Sequence, residues 1–283
     1  MYALICSREK LRELATGATH KTIYMPTLEA FHLCAPAIDE QRRIATRLKA
    51  QLAELEASRA AGQAQSQEIR LLRARVLQDV FGSITSAPRK VLGEHAPTTS
   101  GSTPPRSNKR YWEPAEIPWV KTGEVVFAPI TQTEEAVSRA ALSECSLTLL
   151  PPKTVLVAMY GQGKTRGQSA ILDIAATTNQ ACFAILPNDT WEPEFLHCWL
   201  TASYENLRSL SADRGGNQAN LNGALLKALE IPAPSKLRQR QIVEHVNKVL
   251  REVDTLATAN KASLTDLAQL PQRLLAQAFG DTA

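Results

Sequence analysis

An ungapped internal echo constrains this chain more than any other feature. Displaced by 198 positions, the stretch 35–82 falls on 233–280. Ala35-Pro36 meets Ala233-Pro234, Gln41-Arg42 meets Gln239-Arg240, Ile44 meets Ile242, Leu52 meets Leu250, Arg75 meets Arg273 and Phe81-Gly82 meets Phe279-Gly280. Fourteen of 48 positions are identical. Two unrelated helices of like composition would not hold one register to a shared final Phe-Gly, so the stretch reads as a duplicated architectural unit.

Both copies read as long helices. In the second, Val246, Val253, Asn260, Leu267 and Leu274 recur every seven residues, with Leu250, Ala257, Leu264 and Ala278 interleaved, which is a coiled-coil seam. The first copy keeps that seam with Leu48, Leu55, Ile69 and Val76, and with Leu52 and Val80 between them. Its centre, Ser58 to Ser66, is nearly all small or polar, which predicts loose contact there. A helix of about 40 residues is roughly 60 Å long. Alone it would expose its apolar stripe, so the economical arrangement folds one copy antiparallel against the other. Asn260 occupies a position where a lone polar side chain sets register and partner number. Its counterpart is Gly62, so pairing within one chain offers it no obvious polar mate.

The repeat also orders the rest of the chain. Gly17-Ala18-Thr19-His20 lies on Gly215-Gly216-Asn217-Gln218, so residues 1–34 read as the tail of a unit whose complete version comes later. Pro36 breaks the chain before the first long helix, with Asp39 as the expected N-cap. After a Ser/Thr/Pro linker from Ser83 to Pro88, the insert from about Arg89 to Glu230 has a different texture, with more Pro, Gly and Trp. Short β-like runs occur at Val125 to Phe127, Thr154 to Tyr160, Ser169 to Ile174 and Ala181 to Leu186, and Glu192 to Ser211 keeps a helical 3–4 spacing. The fold class predicted is α+β: a globular domain of mixed α/β content carried on two long helices, with boundaries at 1–34, 35–82, 83–230 and 231–283.

The formal charge of +4 is compatible with nucleic acid, but the basic surplus forms no block, so any such site must be a local patch. Five scattered cysteines with no C-x-x-C fit free thiols in a reducing cytoplasm. No apolar run approaches a membrane span. The five histidines show no metal spacing, and no catalytic set can be chosen from residue types.

Three stretches carry candidate chemistry. Ala158 to Thr165, AMYGQGKT, satisfies a relaxed phosphate-loop pattern. The helix that should follow it is replaced by the β-like Ser169 to Leu172, so Tyr160 to Gly167 reads as a hairpin loop offering Tyr160, Gln162, Lys164, Thr165 and Arg166. Such a loop suits DNA: cations meet phosphates, while Gln or Arg meets base edges. Ser100 to Trp112 offers Arg106, Asn108, Lys109 and Arg110, closed by Tyr111-Trp112, which serve core packing equally well. Arg214 to Asn222, dense in amides, offers Arg214, Asn217 and Gln218, either for DNA or to cap the following helix. Asn179-Gln180 reads as structural or DNA-facing.

Together these residues resemble the specificity subunit of type I restriction–modification systems. Tyr111-Trp112, Ile117-Pro118-Trp119, Leu150-Pro151-Pro152, Tyr160 to Gly167 and Thr178-Asn179-Gln180-Ala181 look like a target-recognition domain of that family. Gly216-Asn217-Gln218, Asn220-Leu221-Asn222, Ile231-Pro232-Ala233-Pro234 and Gln239-Arg240-Gln241-Ile242 resemble the exit into its spacer helix. The resemblance implies a non-catalytic subunit that reads half of a split duplex-DNA target. It implies docking to modification subunits, which bind S-adenosylmethionine, and through them to restriction subunits, which use ATP and Mg; no cofactor is expected on this chain. The family pairs two recognition domains with two antiparallel spacer helices, whereas this chain holds one complete domain. Two assembly states stay open, a folded-back monomer, which is favoured, and a homodimer exchanging seams. Two other functions also stay open: a nucleotide-binding enzyme using Ala158 to Thr165, and a coiled-coil scaffold without DNA.

Overall fold

A computed structural model describes residues 2, 4, 7–16, 21–31, 36–84, 86–161, 163–212 and 221–279. The first element whose bounds are described is α1 (Arg8–Glu13), followed by α2 (Met25–Glu29) and the long α3 (Ile38–Gly82). There follow β1 (Arg89–Val91), α4 (Leu92–His95), β2 (Thr98–Ser100), β3 (Ile117–Val120), β4 (Glu135–Val137), α5 (Arg139–Glu144), β5 (Val155–Ala158), β6 (Ser169–Ile171), β7 (Thr177–Thr178) and β8 (Cys182–Ile185). Then come α6 (Pro193–Ala202), α7 (Tyr204–Ala212), α8 (Gly223–Lys227), β9 (Glu230–Pro232) and the long α9 (Lys236–Phe279). Two compact units result, Met1–Leu71 with Val253–Ala283, and Leu72–Glu252.

In the first unit, α3 starts at Ile38, and Gln41 N donates to Ala37 O. Asp39 therefore lies in the first turn, not at the N-cap as expected, where with Glu40 it faces the positive end of the helix dipole. Leu48, Leu55 and Val253 are buried, and Leu52, Ile69, Leu267 and Leu274 are half-buried. The centre of the seam differs from expectation twice. Asn260 has polar mates: its Nδ2 donates to Gly62 O at 3.0 Å and to Ser66 Oγ at 2.8 Å. Contact there is also close, since a Cβ on Gly62 would lie 2.7 Å from Leu264 Cδ2. A glycine without a side chain exposes its carbonyl to a partner helix, which the small, polar composition concealed.

In the second unit, the end of α3 and the start of α9 belong to the core. Leu77 shares one apolar cluster with Ile242 and Val246, against which Val80, Phe81 and Leu250 pack; Val76 is half-buried, and Phe81 meets Phe195 edge-on at 5.4 Å. In the first unit Gly62 faces Leu264 and Ser66 bonds Asn260, so residue numbers rise along α3 as they fall along α9, the ordering of an antiparallel pair.

The domain carried between the helices is built on a four-stranded sheet of order β2-β8-β5-β6, with all neighbours antiparallel. Strand alternation sends Val155, Val157, Ile171, Phe183 and Ile185 to the cluster containing Phe195, Leu196 and Trp199 of α6. It sends Leu156, Ala158, Ala170, Cys182 and Ala184 to a second cluster with Val120, Val125, Ile130 and Leu172. A three-stranded sheet, β4-β3-β7, and a β1-β9 pair complete the unit. Val125 to Phe127 forms no strand: Phe127 takes a left-handed backbone at φ 58°, and Val126 is exposed. The helix expected over Glu192 to Ser211 is two helices, broken at Ser203.

The Gln-Arg pair repeated in the sequence acquires a physical reason here. Gln239 is fully buried. Its Nε2 donates to Pro234 O and Thr190 O, each at 2.8 Å, and its Oε1 accepts from Glu192 N at 2.7 Å. Arg240 reaches the Glu192 carboxylate at 2.8 Å. In the other copy, exposed Gln41 makes the matching bond alone, to Pro36 O at 2.7 Å. Gln239→Ala should therefore destabilise the protein by roughly 2–3 kcal/mol, because it strands buried backbone groups. Gln41→Ala should change stability by less than about 0.5 kcal/mol. Denaturant titration of both variants checks the asymmetry; equal losses would remove the role given to the buried amide.

Candidate nucleic-acid interface

One rim of the four-stranded sheet gathers stretches far apart in sequence. At this rim β2 ends at Ser100, β5 ends at Ala158, β6 begins at Ser169 and β8 begins at Cys182, as their registers require. Met159 N donates to Ala181 O at 2.9 Å, which sets the 159–167 loop beside the 179–181 turn. Leu221 N donates to Met159 O at 3.2 Å, which sets Leu221 at the same place. Ser102 N donates to Thr178 O at 3.0 Å, and this approach requires glycine at 101, where a Cβ would fall 1.8 Å from that oxygen.

The 159–167 loop closes the antiparallel β5-β6 hairpin, with Gly167 N donating to Ala158 O and Ala158 N to Gln168 O, each at 2.9 Å. No helix follows to hold a phosphate at its N-terminus, so the nucleotide-binding alternative lacks its structural requirement. Tyr160 and Lys164 are exposed, whereas Thr165 and Arg166 are half-buried. Gln162, Arg214, Asn217 and Gln218 lie outside the described residues, as does the 17–20 turn. Asn222 is the N-cap of α8, accepting from Leu225 N at 2.9 Å, so that one amide of the segment caps a helix.

Other candidates have internal partners. Asn179 Oδ1 accepts from Thr122 Oγ1 at 2.9 Å and from Ala181 N at 3.1 Å, shaping the turn. This leaves exposed Gln180 as its outward amide, with Oε1 accepting from the Thr103 hydroxyl. Arg106 stacks over Trp112 at 3.8 Å, lies 5.2 Å from the Trp119 ring and is hydrogen-bonded to Glu135. That guanidinium holds the Glu135 carboxyl below the usual range, and Lys121 adds to it against the opposing effect of burial. Arg110 grips Glu144 with two bonds, of 2.7 and 3.1 Å, and Tyr111 Oη donates to the same carboxylate, which raises its own pKa. Asn108 caps the turn Lys109–Tyr111 by accepting from Arg110 N. Lys109 and Lys164 are the exposed candidate cations with no described ion-pair partner.

Sequence reasoning missed Glu135 and Glu144, whose pairing with distant arginines has no local pattern. It also missed the bond from Tyr204 to the backbone of the 159–167 loop, because Tyr204 showed only the helical 3–4 spacing of its neighbours. Among the described residues, no cluster of three or more His, Cys, Asp or Glu stands ready for a metal, and no helix is long and apolar enough to cross a membrane.

The architecture defines a class of protein: a mixed α+β domain ending in long helices. It is shared by a chain from a structure of complex assembly and conformational transition of the type I R-M system, with TM-score 0.72, 20% identity and coverage of 98% of this chain and 67% of that one. It is also shared by the HsdS subunit from Thermoanaerobacter tengcongensis, with TM-score 0.66, 19% identity and the same coverage. At that identity the likeness establishes the fold. The type I restriction modification DNA specificity domain matches residues 90–265, more than half of the chain, and the chain belongs to that family. Curated relatives include the EcoR124I/EcoR124II specificity subunit of Escherichia coli, 23% identical over 185 residues, covering 65% of this chain and 45% of that protein. Another is the MjaIX specificity subunit of Methanocaldococcus jannaschii, 32% identical over 158 residues, covering 54% and 34%. The matched regions span less than half the length of either relative.

Behind the rim, His197 of α6 supports the first residue of β6. Its Nδ1 lies 3.0 Å from Ser169 Oγ, and burial lowers its pKa to about 4, against the opposing pull of Glu194. Burial likewise pushes the Cys182 thiol up to about 12. Between about pH 6.5 and 4 the unfolded chain binds a proton at this histidine that the folded chain does not. Its contribution is complete above pH 6.5 and is lost as pH falls, up to roughly 3 kcal/mol in all. His197→Gln should flatten the fall in melting temperature across that interval; an unchanged pH profile would overturn the assignment.

Proposed function

We propose that this chain is a sequence-reading DNA-recognition subunit of a type I restriction–modification complex, itself non-catalytic. Its rim reads one half of a split duplex target. The observation that carries this reading is the convergence at one rim of the 159–167 loop, the 179–181 turn and Leu221, within a chain of the specificity family. Strands β5, β6 and β8 are buried on both faces, so the rim is where their loops keep polar groups available. Lys164 and Lys109 supply phosphate contacts, and Gln180 is placed for a base edge. The long helices dock modification subunits, which carry S-adenosylmethionine, with ATP used by restriction subunits beyond them. Localisation is then cytoplasmic, with the DNA.

The folded-back monomer is the state proposed for the isolated chain. It is supported by Asn260, which finds both its partners within its own chain and needs no second copy. Light scattering should give the mass of one chain at all concentrations; a concentration-independent dimer would overturn this.

For recognition, binding of the full chain to randomised duplexes is measured across a salt series. Lys164→Ala should weaken all sequences alike and lower the salt slope by about 1. Gln180→Ala should instead alter which sequences are preferred, by about 1–3 kcal/mol of discrimination. An unchanged slope in the first variant would exclude Lys164 from the interface, and a uniform loss in the second would deny Gln180 a base. No preference among duplexes in the unaltered chain would overturn the recognition function itself.

A further inference from the structure

Tyr204 and Arg208 of α7 lie behind the rim, and each bonds to the backbone of the 159–167 loop. Tyr204 Oη donates to Lys164 O at 2.6 Å. Arg208 Nη1 donates to Arg166 O at 3.2 Å and to Tyr204 Oη at the same distance, so the phenol accepts from the cation while it donates to the loop. The guanidinium lies 5.3 Å from the Tyr204 ring centroid. Two carbonyls of the loop are thus held from within by one connected pair of side chains.

Tyr204 also braces a second loop. The Phe127 ring stands edge-on to it at 5.3 Å and 82°. Phe127 has φ 58°, a strained backbone for a bulky residue, and its N–H donates to Ser169 O at 3.0 Å. A non-glycine residue persists in this region only where its surroundings over-determine it. The preceding Val126 is 52% exposed. On the other side, Gly167, at φ 87°, packs against the Tyr204 ring: a Cβ there would fall 3.4 Å from Cδ2. The ring therefore separates two loops and fixes the spacing between exposed Val126 and exposed Lys164.

We propose that Tyr204, with Arg208, is a specificity-determining positioning pair: it holds the 159–167 and 125–127 loops in one register, so that their outward side chains meet defined base pairs of duplex DNA. The inference rests on the DNA-recognition reading above. Neither residue touches DNA; each acts through the loop that it holds. Backbone held by directed hydrogen bonds resists the shifts that would let side chains fit several sequences equally, so discrimination depends on the brace more than affinity does.

The test uses the full chain and a library of randomised duplexes, with melting temperature measured alongside. Tyr204→Phe keeps the ring against Phe127 and Gly167 but removes both hydroxyl bonds. Arg208→Lys keeps a cation but loses the fork that reaches a carbonyl and the phenol together. Each should lower the preference for the best sequence over its single-base variants by about 3-fold to 10-fold, the scale of one or two hydrogen bonds. The salt slope and the affinity for unrelated duplexes should stay at the unaltered chain's values. The two changes should be non-additive when combined, because they break one network. An unchanged preference in both variants overturns the proposal, as does a uniform loss of affinity that tracks loss of melting temperature. If the unaltered chain itself shows no preference, the recognition reading fails first; if it shows one that both variants retain, only the positioning role fails.

Discussion

Two-sided burial of three strands of the four-stranded sheet is the constraint on which the second unit depends. Every residue of β5, β6 and β8 is buried, and alternate positions serve two different apolar clusters. A sheet occupied on both faces offers no open surface for polar chemistry, so that chemistry is displaced to the loops at its ends. Because β5 ends where β6 and β8 begin, one hairpin loop and one turn are forced together at a single rim. The rigidity of the packed sheet then passes to those loops through short backbone bonds such as Met159 N to Ala181 O.

The duplicated helices obey a second constraint. Asn260 and Gly62 are equivalent under the 198-residue repeat, and they touch each other. Equivalent positions of two related, antiparallel elements meet only where the axis relating them crosses the pair, so this layer marks that axis. The copies are alike in architecture and unlike in chemistry at that point: one provides a bare carbonyl, the other the amide that reads it. Gln41 and Gln239 differ in the same way. Both bond the carbonyl five residues back, but only Gln239 is buried and extends its amide into a second segment of chain.

Electrostatically the Ser100 to Trp112 stretch is less cationic than its composition suggests. Arg106 and Arg110 bond to Glu135 and Glu144, and their stacking and bidentate geometry give them structural work around Trp112 and Trp119. Exposed pairs of this kind contribute little to stability singly. Their larger effect is to commit two guanidinium groups to carboxylates, while Lys109 and Lys164 stay exposed with no described ion-pair partner.

The sequence by itself determined the duplicated long helices, the seam, the α+β insert and the hairpin nature of the Ala158 to Thr165 stretch. These follow from periodicity and from residue order, which are local properties that survive without coordinates. Val125 to Phe127 shows the limit: its residue types favour a strand, yet contacts with Ser169 and Tyr204 hold Phe127 in a left-handed turn. Asn260 shows it again, since a carbonyl partner belongs to no residue type and cannot be seen in a row of letters. Only the tertiary structure decided which cations are shared with carboxylates, that Asn179 serves its own turn, and that Tyr204 braces a loop 40 residues away. The reason is that hydrogen-bond partners depend on which chain segments meet in space, and long-range meeting is settled by packing of the whole sheet rather than by any stretch of it.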